Sequence, residues 1–293
     1  MKKYFIISLS SLALFSACTE DVDLTLPNSD NKIVIEGLIE NGKFAQVLIT
    51  RTIPLFSTVT GATAADLYVL DATVYVSNGS ITDTLGLTID SSSSLGVVYQ
   101  GNSIIGASGQ NYSLTVVTAD GKIYKATTSI PYPVALDSVW WKPQPPEDSL
   151  GFANARLSEP AGLGNNYRWY AKRPTKDRRF LAQNGSTFDD KLVDGKSFEF
   201  AYTKAYDPTD NVNSIENDSD EERFYYRKSD TIYIKFCSID KASKDFFTTF
   251  EAALSSNGNP FASPTTVLGN IDNGGLGAWT GIAASYDTIM PTP

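Results

Sequence analysis

Apolar and polar positions alternate along much of this chain with the period of two that a half-buried strand requires. Ala45, Val47 and Ile49 share one face of a segment from Phe44 to Arg51. Ala72, Val74 and Val76 alternate with Thr73 and Tyr75, and Tyr112, Leu114 and Val116 alternate with Ser113, Thr115 and Val117. Short apolar runs at Lys32–Ile39 and Leu95–Gln100 read as further strands. Ala119-Asp120-Gly121-Lys122 is a tight-turn signal, because glycine accepts positive φ, and Tyr124, Ala126, Thr128 and Ile130 form the returning strand. About seven strands over roughly 100 residues predict an immunoglobulin-like β-sandwich across 32–130. The segment Ile53–Leu70 is expected to be a long loop, used for binding or packed over a sheet edge.

Pro131-Tyr132-Pro133 interrupts the alternation, since proline fixes φ and removes a donor, so a stiff boundary is expected at 131–135. A second β-rich domain is expected over 136–293. It opens with Leu136-Asp137-Ser138-Val139-Trp140-Trp141, and strands are predicted at Ala153–Leu157, Tyr167–Lys172, Ser197–Lys204, Phe224–Arg227 and Thr231–Ile239. Phe246, Phe247, Phe250, Ala253 and Leu254 recur instead at helical spacing, which predicts one amphipathic helix near 241–255. Asp240 would cap its start, Asn257-Gly258 would stop it, and the Phe stripe is expected to pack onto the domain's sheet. The Gly-, Asn- and Pro-rich block from Asn259 to Trp279 is expected to close this domain as a packed loop and final strand, with a partner-docking surface as the alternative.

The first residues have another character. Lys2 and Lys3 precede an apolar run, Tyr4–Phe15, of about a dozen residues, where a membrane-spanning helix needs roughly 20. This reads as an export signal over 1–18. Phe15-Ser16-Ala17-Cys18 resembles a bacterial lipobox, although Phe15 stands where Leu is usual. In such signals the cysteine takes a diacylglyceryl group and becomes the first residue. The alternative is an ordinary secretory peptide with an incidental cysteine. A polar, acidic tether at 19–31 would follow, and its Glu20, Asp21 and Asp23 resemble the flank that sends lipoproteins to the cell exterior.

Composition narrows the functions open to the chain. Removing 1–18 takes Lys2 and Lys3 from the 24 basic residues and leaves the 33 acidic ones, a net charge of −11. An acidic surface repels phosphate backbones, so nucleic acid is not an expected partner. The chain has no histidine, which excludes Ser-His-Asp and Cys-His catalysis and histidine metal sites. With Cys18 assigned to processing, Cys237 has no partner for a disulfide and reads as a small buried hydrophobe in an apolar strand.

The chain resembles a family of Bacteroidota lipoproteins, domain of unknown function 4249, over nearly its whole length. The marks are Cys18 with its acidic flank, Val22-Asp23-Leu24 before Pro27, Ile33-Val34-Ile35-Glu36-Gly37, GQNYSLTV at 109–116, Asp137-Ser138-Val139, and NPFASPTTVLGNIDNGGLGAW at 259–279. The resemblance implies an outer-membrane lipoprotein linked to TonB-dependent receptors. It implies no catalytic residues.

Three further sets of residues carry candidate chemistry. Trp140, Trp141, Trp169 and Tyr170 are candidate aromatic platforms for a ligand, with sheet core or domain interface as the competing role. Strand alternation lets one residue of each adjacent pair face a given side. The acidic stretch 207–222 offers Asp207, Asp210, Asp218 and Asp220 to a Ca²⁺ ion, though its spacing is not that of an EF-hand and a solvated hairpin tip is the simpler reading. A histidine-independent hydrolase would need a Ser-Lys or carboxylate pair, but Ser243 and Lys244 are adjacent on the predicted helix and diverge. The expectation is therefore a non-catalytic binding or accessory module at the outer membrane, without cofactor, serving a TonB-dependent nutrient receptor. A structural or adhesive surface protein is the alternative.

Overall fold

A computed structural model describes residues 31–53, 65–90, 96–205, 224–256, 261, 263 and 265–290. The fold is mainly β, with sandwich-like sheets. In chain order the strands are β1 (Ile33–Glu40), β2 (Phe44–Arg51), β3 (Thr73–Ser77), β4 (Thr82–Asp90), β5 (Gly96–Ile105), β6 (Asn111–Val117), β7 (Ile123–Ser129), β8 (Ser138–Gln144), β9 (Glu147–Ser158), β10 (Asn166–Lys172), β11 (Thr187–Asp189), β12 (Ser197–Tyr202), β13 (Tyr226–Arg227), β14 (Ile232–Ile239) and β15 (Leu276–Ile289). Helix α1 (Lys241–Ser256) lies between the last two.

Eleven strands form one continuous path, β11-β10-β14-β15-β1-β2-β5-β4-β3-β6-β7, while β8, β9, β12 and β13 make a small second sheet. The path folds over at β4. Its first half, Thr82–Leu85, pairs with β3, and its second half, Gly86–Asp90, pairs with β5. A strand that changes sheet in this way makes the corner of a sandwich. The interior between β1/β2/β5 and β3/β6/β7 holds Ile35, Ile39, Val47, Val74, Val76, Leu114 and Val116, all 0–1% exposed.

A second core lies between β10/β14 and the small sheet. It contains Leu157, Tyr167, Trp169, Tyr202, Ile232, Ile234 and Phe236. The two cores follow the halves of the chain on either side of the proline-rich segment, but the sheet does not stop there. β15 pairs in parallel with β1 over Leu276–Ile282, then antiparallel with β14 over Ile282–Ile289. Its Trp279 belongs to the first core and its Ile289 to the second. Trp279 donates its indole N–H to the Tyr112 carbonyl across the first sandwich, at 3.1 Å. It lies over Gly37, where a Cβ would come within 2.5 Å of the indole. A side chain there would displace the tryptophan.

Asp240 caps α1 as its sequence position predicts. One carboxylate oxygen accepts from Ser243 N at 2.8 Å, and the other accepts from Thr128 Oγ1 at 2.7 Å. The exposure of the helix's apolar stripe departs from expectation. Ser243 is its buried residue, and Phe250 and Leu254 are 41% and 53% exposed. Successive residues turn by about 100°, so Phe250, seven after Ser243, and Leu254, seven after Phe247, fall on the same side of the helix as those two, with Glu251 at its edge. Two ion pairs hold that side down: Arg168–Glu251 at 3.0 Å and Lys244–Asp189 at 3.1 Å. The polar anchors pin the helix over β10 and β11, and of the predicted apolar stripe Phe247 packs against the buried cluster under it.

Candidate functional site

The outer face of the shared sheet, beside α1, gathers the chemistry. Alternation on β1 sends Ile33, Ile35 and Ile39 inward and leaves Glu36, Leu38 and Glu40 outward. The same alternation on β14 turns Lys235 and Cys237 outward, and on β10 it does so for Arg168 and Tyr170. Tyr286 of β15 lies opposite Lys235 in the ladder.

These side chains form a row of alternating cations and rings. The Arg168 guanidinium sits 3.6 Å from the Phe247 ring centre and 5.2 Å from that of Tyr170. Lys235 Nζ is 5.7 Å from the Tyr170 ring and ion-pairs with Glu40 at 2.5 Å. Glu40 also pairs with Lys43 at 2.8 Å and accepts from the Tyr286 hydroxyl at 2.5 Å. The Glu40 side chain is 4% exposed and that of Lys235 11%, so the ion pair is largely out of water. Burial alone would raise the Glu40 carboxyl, but Lys235, Lys43 and Tyr286 outweigh it and hold the carboxyl below its ordinary range. Burial alone would lower the Lys235 ammonium, but Cys237, Glu40 and Tyr286 hold it above its ordinary value. Burial pushes the Cys237 thiol up to about 12, so it is not a thiolate nucleophile near neutral pH.

Two hollows meet at Leu38. One, about 170 Å³, is apolar and runs under the helix edge between Leu38, Tyr170, Phe246, Phe247 and Ile282. The other, about 460 Å³, is lined by Glu40, Lys43, Phe44, Gln46, Gln100 and Lys235. A third hollow of about 480 Å³ opens elsewhere along α1, between Phe188, Phe198, Phe200 and Lys244. At the rim of the apolar hollow half-buried Phe246 stacks on exposed Phe250, ring centres 5.7 Å apart, with exposed Leu254 a turn further on.

The residues expected from sequence to bind a ligand are divided by this geometry. Tyr170 lies in the site, between Arg168 and Lys235. Trp169, its neighbour on the opposite face, is 1% exposed and stacks on Tyr202 at 4.5 Å in the second core, so it is no surface platform. Trp141 packs against that core and donates to the Tyr226 carbonyl at 3.2 Å; Trp140 is half-buried on the other face of β8. Cys18, Glu20, Asp21, Asp23 and the calcium candidates Asp207, Asp210, Asp218 and Asp220 lie outside the described residues. Among the described residues, no three Asp, Glu or Cys side chains are grouped so as to hold a metal ion. No described helix is long and apolar enough to cross a membrane. Sequence reasoning missed Glu40, Lys43, Lys235 and Arg168. The available signal was a charged residue inside an otherwise apolar strand, Glu40 at the end of IVIEGLIE and Lys235 within IYIKFCSI.

A two-core β protein with a capped helix on a shared sheet is the class that the described residues define. The chain belongs to the family described as domain of unknown function (DUF4249), whose model matches residues 19–286. No curated protein matches it significantly.

Proposed function

We propose that this protein is a lipoprotein anchored in the outer membrane through Cys18, facing the cell exterior, and that it serves as a non-catalytic accessory module of a TonB-dependent nutrient receptor. The observation that carries this reading is the outward stripe of α1. Phe250 and Leu254 have the spacing of a core-facing helix and lie on the same side as Ser243 and Phe247, yet both stand exposed, and half-buried Phe246 stacks on Phe250. A contiguous exposed aromatic and aliphatic face of this kind marks an interaction surface. A lipid anchor at the other end of an acidic tether would hold that face at the membrane where the receptor resides, which raises its effective concentration.

The test is affinity isolation of the tagged, full-length protein from its own membranes. A TonB-dependent receptor is expected to accompany the wild type and to be lost with Phe250→Ser and Leu254→Ser. Recovery of the same receptor with both variants would remove α1 from the interface, and recovery of none would favour a structural or adhesive role.

A further inference from the structure

The hollow at the seam of the two sandwiches has a charge and a lining of its own. Among the described residues that line it, the one carboxylate, Glu40, is shared by two ammonium groups, Lys43 and Lys235, so these carry one positive charge in excess, in a chain whose net charge is −9. Lys235 is held by Glu40 and nearly enclosed, whereas Lys43 stands at the mouth with its side chain 57% exposed. It donates to Glu40 and to the Tyr286 hydroxyl at 2.9 Å, and an ammonium has three N–H donors. The remaining wall combines two carboxamides, Gln46 and Gln100, which both donate and accept, with Phe44, a residue 37% exposed. A hollow of about 460 Å³ accommodates a single small molecule.

We infer that this seam hollow binds a sugar acid, a hydroxylated ring bearing one carboxylate, with the carboxylate on Lys43, the hydroxyls on Gln46 and Gln100, and the C–H face of the ring against Phe44. The charge match accounts for one carboxylate: a second would find no further cation among the described residues of the wall. The paired amides suit hydroxyl groups, which donate and accept in the same way. The ligand is a free uronate or the end of an acidic polysaccharide. The site does not use the α1 stripe and stands apart from the receptor reading.

The experiment is calorimetric titration of the full-length, detergent-solubilised protein at low salt with glucuronate, with trigalacturonate and with glucose. Glucuronate or trigalacturonate is expected to bind, and which of the two binds more tightly distinguishes the free acid from the polymer end. Glucose is expected to bind at least about tenfold more weakly, since a charge-assisted hydrogen bond is lost. Lys43→Gln, at an exposed turn position, is expected to weaken the acid about tenfold while leaving glucose unchanged, and added salt to weaken the acid alone. Gln100→Ala is expected to weaken acid and glucose together. Failure of both acids to bind a protein of unaltered melting temperature, equal affinity for glucose and glucuronate, or an unaffected Lys43→Gln variant would overturn the assignment.

Discussion

Glu40→Gln keeps the size and shape of a residue whose side chain is 4% exposed and removes its charge. Lys235, 11% exposed, then loses the carboxylate at 2.5 Å, and Lys43 loses its partner at 2.8 Å. Removing one partner of a buried ion pair costs about 3–5 kcal/mol, because the other charge is left uncompensated. Lys235 retains some access to water and the amide still offers an oxygen, so about 2–4 kcal/mol is expected here, or roughly 5–12 °C in melting temperature for a chain of this size. The pH dependence gives a second readout. The Glu40 carboxyl is held below its unfolded value of 4.5, so its contribution is fully present above that pH and is lost as the pH falls through the folded value. Lys235 is held above 10.5, so its contribution is present below that pH and is lost as the pH rises further. Urea unfolding of wild type and variant from pH 3 to pH 8 should therefore show curves well apart at pH 7 and converging in acid. A difference below about 0.5 kcal/mol at pH 7, the usual size of a surface effect, would refute a buried ionic seam.

Two further outcomes follow from the shared strand and from the thiol. Gly37→Ala places a methyl group 2.5 Å from the Trp279 ring, so denaturant unfolding should show a loss of about 1–3 kcal/mol from overpacking; a neutral result would contradict the β1–β15 register. Cys237, 0% exposed with its thiol pushed up to about 12, should resist iodoacetamide in the folded protein at pH 8 and react fully in urea; rapid labelling of the native chain would contradict its burial.

The strands that alternate strongly were legible from local pattern. β2, β6 and β7 carry mostly apolar residues on one face and mostly polar ones on the other, β14 is an apolar run, and the structure places all four within a residue or two of expectation. β4 was missed although Leu85, Leu87 and Ile89 alternate with Thr84, Gly86 and Thr88; its role as a corner depends on two partners, β3 and β5, that no local pattern names. β15 was only partly foreseen, as the close of a packed loop. Its middle is built of small residues, Gly281, Ala283 and Ala284, which signal no strand, and its parallel partner β1 lies at the other end of the described chain. The amphipathic spacing of α1 was legible and the exposure of Phe250 and Leu254 was not, because what lies under the helix, with Arg168 of β10 and Asp189 of β11 as its anchors, comes from distant parts of the chain. The same reason hid the seam: Glu40 and Lys235 are 195 residues apart in sequence. Alternation did foretell that Trp169 and Tyr170 would face opposite sides, and Tyr170 is the one that reached the candidate site.

The receptor reading rests on the outward face of α1, and a photo-activatable residue in place of Phe250 interrogates that face directly. Irradiation of intact cells carrying the full-length protein is expected to yield a covalent adduct with a TonB-dependent receptor at position 250, and none from the same residue at position 87, which is also exposed, on β4. An adduct at position 87 with none at position 250, or no receptor adduct at either, would contradict the account.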